Sequence, residues 1–87
     1  MDTDNTAPLD RALAHLAEGR WQDAHTIVQE EGSTMGSWLH GIVHILEGDL
    51  KNARGWYERA ERAFPDPPDA PAEIEAARTA LARVAGR

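Results

Sequence analysis

Residues 14–28, AHLAEGRWQDAHTIV, return 29 positions later as VHILEGDLKNARGWY. His15 aligns with His44, Leu16 with Ile45, Glu18 with Glu47, Gly19 with Gly48, Trp21 with Leu50, and Ala24 with Ala53; Ile27 and Val28 fall on Trp56 and Tyr57. Self-similarity at such a period marks stacked helical hairpins, units that cannot bury an apolar face alone and do so against a neighbour. The shared positions fit that reading. Glycine permits a tight turn, alanine lets two helices approach, and the large residue one turn on fills the next gap.

Helical periodicity runs through the whole chain. Pro8 suits a first turn, and Leu9, Ala12, Leu13, Leu16 and Ala17 then recur at i, i+3, i+4, i+7 and i+8 up to Gly19. A second helix from about Arg20 to Gly32 turns Trp21, Ala24, Ile27 and Val28 inward. Ser33 is placed to cap a third, in which Trp38, Leu39, Ile42, Val43, Ile45 and Leu46 spread round most of the circumference. A helix apolar nearly all round belongs at the centre of a fold. Gly48 closes it and Asp49 caps a fourth, with Leu50, Ala53, Trp56, Tyr57, Ala60 and Phe64 as its buried stripe up to Pro65. Asp69 caps a fifth, whose inner face is Ile74, Ala77, Leu81 and Val84. The expectation is an all-α domain over residues 7–87. It comprises hairpins at about 8–31 and 33–64 and a capping helix at about 70–85, after a disordered lead-in over residues 1–6.

Eighty-seven residues are close to the smallest chain that one apolar core can hold together, and with no cysteine neither a disulfide nor a thiolate metal site can help. The net charge of −6 lies wholly in residues 1–47, where eight acids face Arg11 and Arg20. That half repels phosphate backbones, and Glu58 and Glu61 interrupt the basic residues of the other half, so nucleic acid is not an expected partner. The acidic, polar start lacks the basic and apolar regions of a secretory signal, and no run reaches the roughly 20 apolar residues of a membrane span. A cytoplasmic protein without membrane contact is the reading.

In the second hairpin, Gly41, Gly48, Ala53, Tyr57, Ala60 and Pro65 stand at small and aromatic positions of a known pattern. The hairpin resembles a tetratricopeptide repeat, and its end, DLKNARGWYERA, resembles the related Sel1-like repeat. The resemblance spans about residues 9–65 and departs at His40 and His44, where the tetratricopeptide pattern prefers an aliphatic and an aromatic residue. It implies a protein-binding scaffold with a concave groove, which on this pattern Met35, Trp38 and Ile42 would approach; the alternative for Trp38 is that the fifth helix folds back and covers it. The implied function is an interaction module or adaptor for a protein or peptide, basic or apolar to complement the acidic first half and Trp38. A homo-oligomer, such as a homodimer with the groove as its seam, is the alternative within the same class.

The one stripe with a hint of chemistry is Ser37, His40, His44 and Glu47 on the central helix. His40 and His44 at i, i+4, with Glu47 one turn on, can bring two imidazoles to one metal ion, giving a metal-binding or hydrolytic site as the alternative from a different class. The simpler reading makes both structural, since His15 repeats the place of His44. A polar network of His44, Glu47, Asn52 and Tyr57 would then fix the helix register. His25, four residues after Trp21, reads as a surface ring against its neighbour, and Arg54, Glu58 and Arg62 as a solvated row. Ser37 and Tyr57 carry no nucleophile signature, so no catalytic residue is assigned and no cofactor is expected.

Overall fold

The computed structural model describes residues 6–85, which form five helices and, among the described residues, no strand. They are α1 (Ala7–Ala17), α2 (Trp21–Val28), α3 (Thr34–Glu47), α4 (Leu50–Arg59) and α5 (Ala70–Ala85). Apart from Thr6, the expected lead-in lies outside the described residues. α1 packs on α2 and α3 on α4 as two hairpins, α2 joins the hairpins through α3, and α5 returns across α3 and α1. α3 touches all four other helices, and its Leu39, Ile42 and Val43 are wholly buried. This is the central position that an apolar circumference requires. No helix among the described residues is long and apolar enough to cross a membrane.

The helix starts follow from single side chains. Ser33 Oγ accepts from the Gly36 amide at 2.9 Å, Asp49 Oδ1 from the Asn52 amide at 3.2 Å, and Asp69 Oδ1 from the Ala72 amide at 3.0 Å. Each satisfies an amide that the helix cannot, typically a contribution of about 1 kcal/mol.

The helix ends show the repeat in backbone detail. In the first hairpin the Arg20 amide donates to the His15 carbonyl at 2.8 Å and the Gly19 amide to the Leu16 carbonyl at 3.0 Å. In the second, Asp49 donates to His44 at 2.9 Å and Gly48 to Ile45 at 3.1 Å. Gly19 and Gly48 adopt φ 77° and 92°, left-handed values that carry no Cβ penalty in glycine.

Two helices are shorter than their periodicity suggests. α4 stops at Arg59 rather than Phe64, because the chain makes the same kind of turn a third time: Arg62 donates to the Tyr57 carbonyl and Glu61 to Glu58, each at 3.0 Å. Glu61 holds the left-handed position at φ 60°, at a cost of about 1 kcal/mol relative to glycine. The turn, several residues before Pro65, ends the helix. α2 stops at Val28 rather than Gly32, and the chain then passes close over Gly36. A Cβ there would meet the Glu31 backbone oxygen at 2.7 Å.

Gly41 sets the distance between α3 and α4. A Cβ at this position would lie 2.6 Å from the Tyr57 ring, which is 1% exposed and packed edge-on to Phe64 at 5.2 Å. Gly41→Ala is expected to destabilise the protein by about 1–2 kcal/mol despite alanine's better helix propensity, because overpacking outweighs the propensity gain. Thermal unfolding checks this; a raised Tm would show that the ring yields freely.

α5 is seated by a polar junction. Glu73, in its first turn, accepts at Oε1 from Trp38 Nε1–H (3.0 Å) and from the Tyr57 hydroxyl (2.7 Å), tying α5 to α3 and α4.

Candidate functional site

The polar stripe of α3 faces the gap between α2 and α4. Ser37, His40 and His44 are all buried polar groups, His40 6% and His44 7% exposed. Residues one helical turn apart share a face, so His40 and His44 stand side by side, their ring centroids 5.1 Å apart. From α2, half-buried His25 meets both rings, at 4.8 Å from His40 and 5.4 Å from His44, edge-on in each case. From α4, Trp56 stacks on His40 at 3.7 Å with the planes 9° apart. Arg59 lies over the Trp56 ring at 4.6 Å.

The three imidazoles differ electrostatically. His44 Nδ1 lies 2.7 Å from Glu47 Oε1. A carboxylate only accepts, so Nδ1 carries the hydrogen and, in the neutral ring, Nε2 holds the free lone pair. His40 is pushed down to about 4, first by burial and then by His25, His44 and Arg59, which leaves it uncharged at neutral pH.

Beside this cluster opens a groove of about 480 Å³ between the end of α2, the start of α3 and α4. Val28, Glu30, Glu31, Ser37, Trp56 and Arg59 line it. It therefore shares Trp56 with the histidine cluster, and Ser37 is one turn from His40.

The residues expected at a partner groove are placed otherwise. Met35 and Trp38 border a depression of about 360 Å³ with Ala60, Arg62 and Ala80, but Trp38 is only 3% exposed and Ile42 not at all. α5 covers this face, Glu73 holds the indole N–H, and the Arg62 guanidinium sits 3.4 Å from the ring centroid. Trp38 and Ile42 are thus core residues. The row of Arg54 and Arg62 is more than a solvated face, since Arg54 lies over Phe64 at 4.5 Å as Arg62 lies over Trp38.

The expected network of His44, Glu47, Asn52 and Tyr57 divides in two. His44 pairs with Glu47, whereas Tyr57 donates to Glu73 on the opposite flank of α3. Asn52 is exposed and contributes its backbone amide to the Asp49 cap. Burial and the Glu73 hydrogen bond raise the Tyr57 phenol above its ordinary value, so it remains a donor. In the proposed trio of His40, His44 and Glu47, the glutamate holds a histidine nitrogen and His25 supplies the third ring. The signal for His25 was its helical spacing, on one face with Trp21 and Val28. His15, the counterpart of His44, is not so engaged, because Glu18 pairs with Arg20 and His15 Nδ1 stands 4.0 Å from Asp23.

Compared with known proteins, the chain matches no family model, no curated protein and no solved structure.

Proposed function

We propose that this protein is a small cytoplasmic interaction module, similar in plan to tetratricopeptide and Sel1-like repeats, that takes a basic peptide segment of a partner protein into the groove between its hairpins. The groove beside Trp56 carries this reading. Its rim bears Glu30 and Glu31, most of its lining comes from the half of the chain that carries the net charge of −6, and Trp56, from the other half, offers an aromatic wall. Charge complementarity would steer a lysine- or arginine-rich segment to this rim, and apolar contact of its side-chain stems with half-buried Trp56 would retain it. Arg59, already over Trp56, narrows the choice by opposing a cation at that end of the groove.

Titration of isotope-labelled protein with a lysine-rich and a glutamate-rich peptide of equal length tests the proposal. The lysine-rich peptide is expected to shift amide signals of residues 28–34, 37, 56 and 59, with the effect fading as salt is added. Glu30→Lys, at an exposed position, is expected to weaken binding about tenfold, equivalent to about 1.4 kcal/mol. Equal response to both peptides, shifts confined to the Leu46 and Ile74 side, or no shift at millimolar peptide would each refute it.

A further inference from the structure

We infer that His25, His40 and His44 form a binding site for one divalent transition-metal cation of the zinc class. Each residue offers one imidazole nitrogen, and the three ligand atoms lie within 4.8 Å of one another. Tetrahedral zinc with ordinary nitrogen distances needs ligand atoms about 3.3 Å apart, so the rings have to close by up to about 1.5 Å, through χ rotations of the three side chains. Two ligands come from adjacent turns of the central helix, α3, and the third from α2 packed directly against it. A cation would therefore cross-link the two hairpins.

Three further features fit a cation rather than ring packing alone. Glu47 holds His44 Nδ1 at 2.7 Å, the carboxylate support that orients metal-ligating histidines and leaves Nε2 for the ion. Among the described residues, neither His25 nor His40 has a side-chain hydrogen-bonding partner, only ring contacts, so their nitrogens are not committed elsewhere. His25 is only half buried, which provides a route in from solvent.

A competing group, His44, Glu47 and Asp49, also lies within 4.8 Å, but Glu47 already holds His44 and Asp49 caps α4, so using them would dismantle two existing contacts. The donor set selects the metal. Three imidazoles suit zinc, nickel, copper or iron, whereas calcium and magnesium demand oxygen ligands. Three protein ligands also leave a fourth position for water or a small ligand.

The test uses the full chain, without an affinity tag and stripped with chelator, titrated with zinc chloride by calorimetry and with cobalt(II) as a visible-absorption probe. One equivalent of zinc is expected to bind at micromolar affinity or better and raise Tm, cobalt is expected to show ligand-field bands, and an excess of magnesium is expected to do neither. Histidine ring signals of residues 25, 40 and 44 should move on zinc addition, and those of His15 should not. His25→Phe keeps an aromatic ring against His40 and is expected to weaken zinc binding at least tenfold with the helical circular dichroism unchanged. Glu47→Gln is expected to weaken it about tenfold, in the range found for supporting carboxylates. The inference is overturned if wild-type protein takes up no zinc at a hundred micromolar. It is also overturned if correctly folded His25→Phe binds zinc as wild type does, or if the signals that move are those of His15. No peptide enters this experiment, so its result is independent of the groove proposal.

Discussion

Trp38→Ala is expected to lower stability by about 3–5 kcal/mol, the range for deleting a large aromatic side chain from a core. The indole is 3% exposed beneath α5, donates its N–H to Glu73 and lies under the Arg62 guanidinium. Truncation removes its buried area, leaves one of Glu73's two donors missing, and opens a void at the junction of three helices. A domain of this size has a total stability of only about 5–10 kcal/mol, so the loss is a large share, and Tm should fall by roughly 15 °C or more. Urea unfolding followed by circular dichroism measures it. A partner-facing tryptophan would behave differently, with changes within about 0.5 kcal/mol. A midpoint close to wild type would mean that α5 does not cover this face in solution.

Glu73→Ala is the second large effect, expected at about 3 kcal/mol. One carboxylate oxygen accepts both the Trp38 and the Tyr57 hydrogen bonds, and hydrogen bonds to a charged group contribute about 1.5–3 kcal/mol each. Removing the acceptor leaves two buried donors unsatisfied, which is costlier than removing either donor alone. Glu73→Gln keeps an amide oxygen in place and is expected to lose about 1 kcal/mol, so the order of stability should be wild type, Gln, Ala. Because the donors share one acceptor, Tyr57→Phe combined with Glu73→Ala should cost less than the sum of the two. Additive losses in that double-mutant cycle, or equal stability of Glu73→Ala and wild type, would count against the junction. Amide exchange in α5 should quicken most in Glu73→Ala, since that helix loses its hydrogen bonds to both α3 and α4 and keeps only its apolar packing.

The histidine cluster and the tryptophan face illustrate opposite outcomes of reading chemistry from spacing. The i, i+4 pair of His40 and His44 was legible because both residues belong to one helix, and the helix fixes their relation. His25 was not: the expected surface ring is half-buried against His40 and His44, because the rings it meets belong to another helix and no spacing within α2 names them. For Trp38 the spacing left an open and an α5-covered position as alternatives; α5 covers it, and the Glu73 contact that holds the indole spans 35 residues.

What the chain determined by itself is the local architecture: five helices, three side-chain caps, and two glycine turns whose hydrogen bonds coincide at an offset of 29 residues. These interactions close within one helical turn, so residue type and spacing suffice to specify them. Tertiary structure alone decided between an open and an α5-covered Trp38, that Tyr57 joins Glu73 instead of His44, and that α2 brings a third imidazole to the central helix. Such contacts depend on how whole helices pack, and packing is settled by the fit of many side chains at once, which no short stretch of sequence contains.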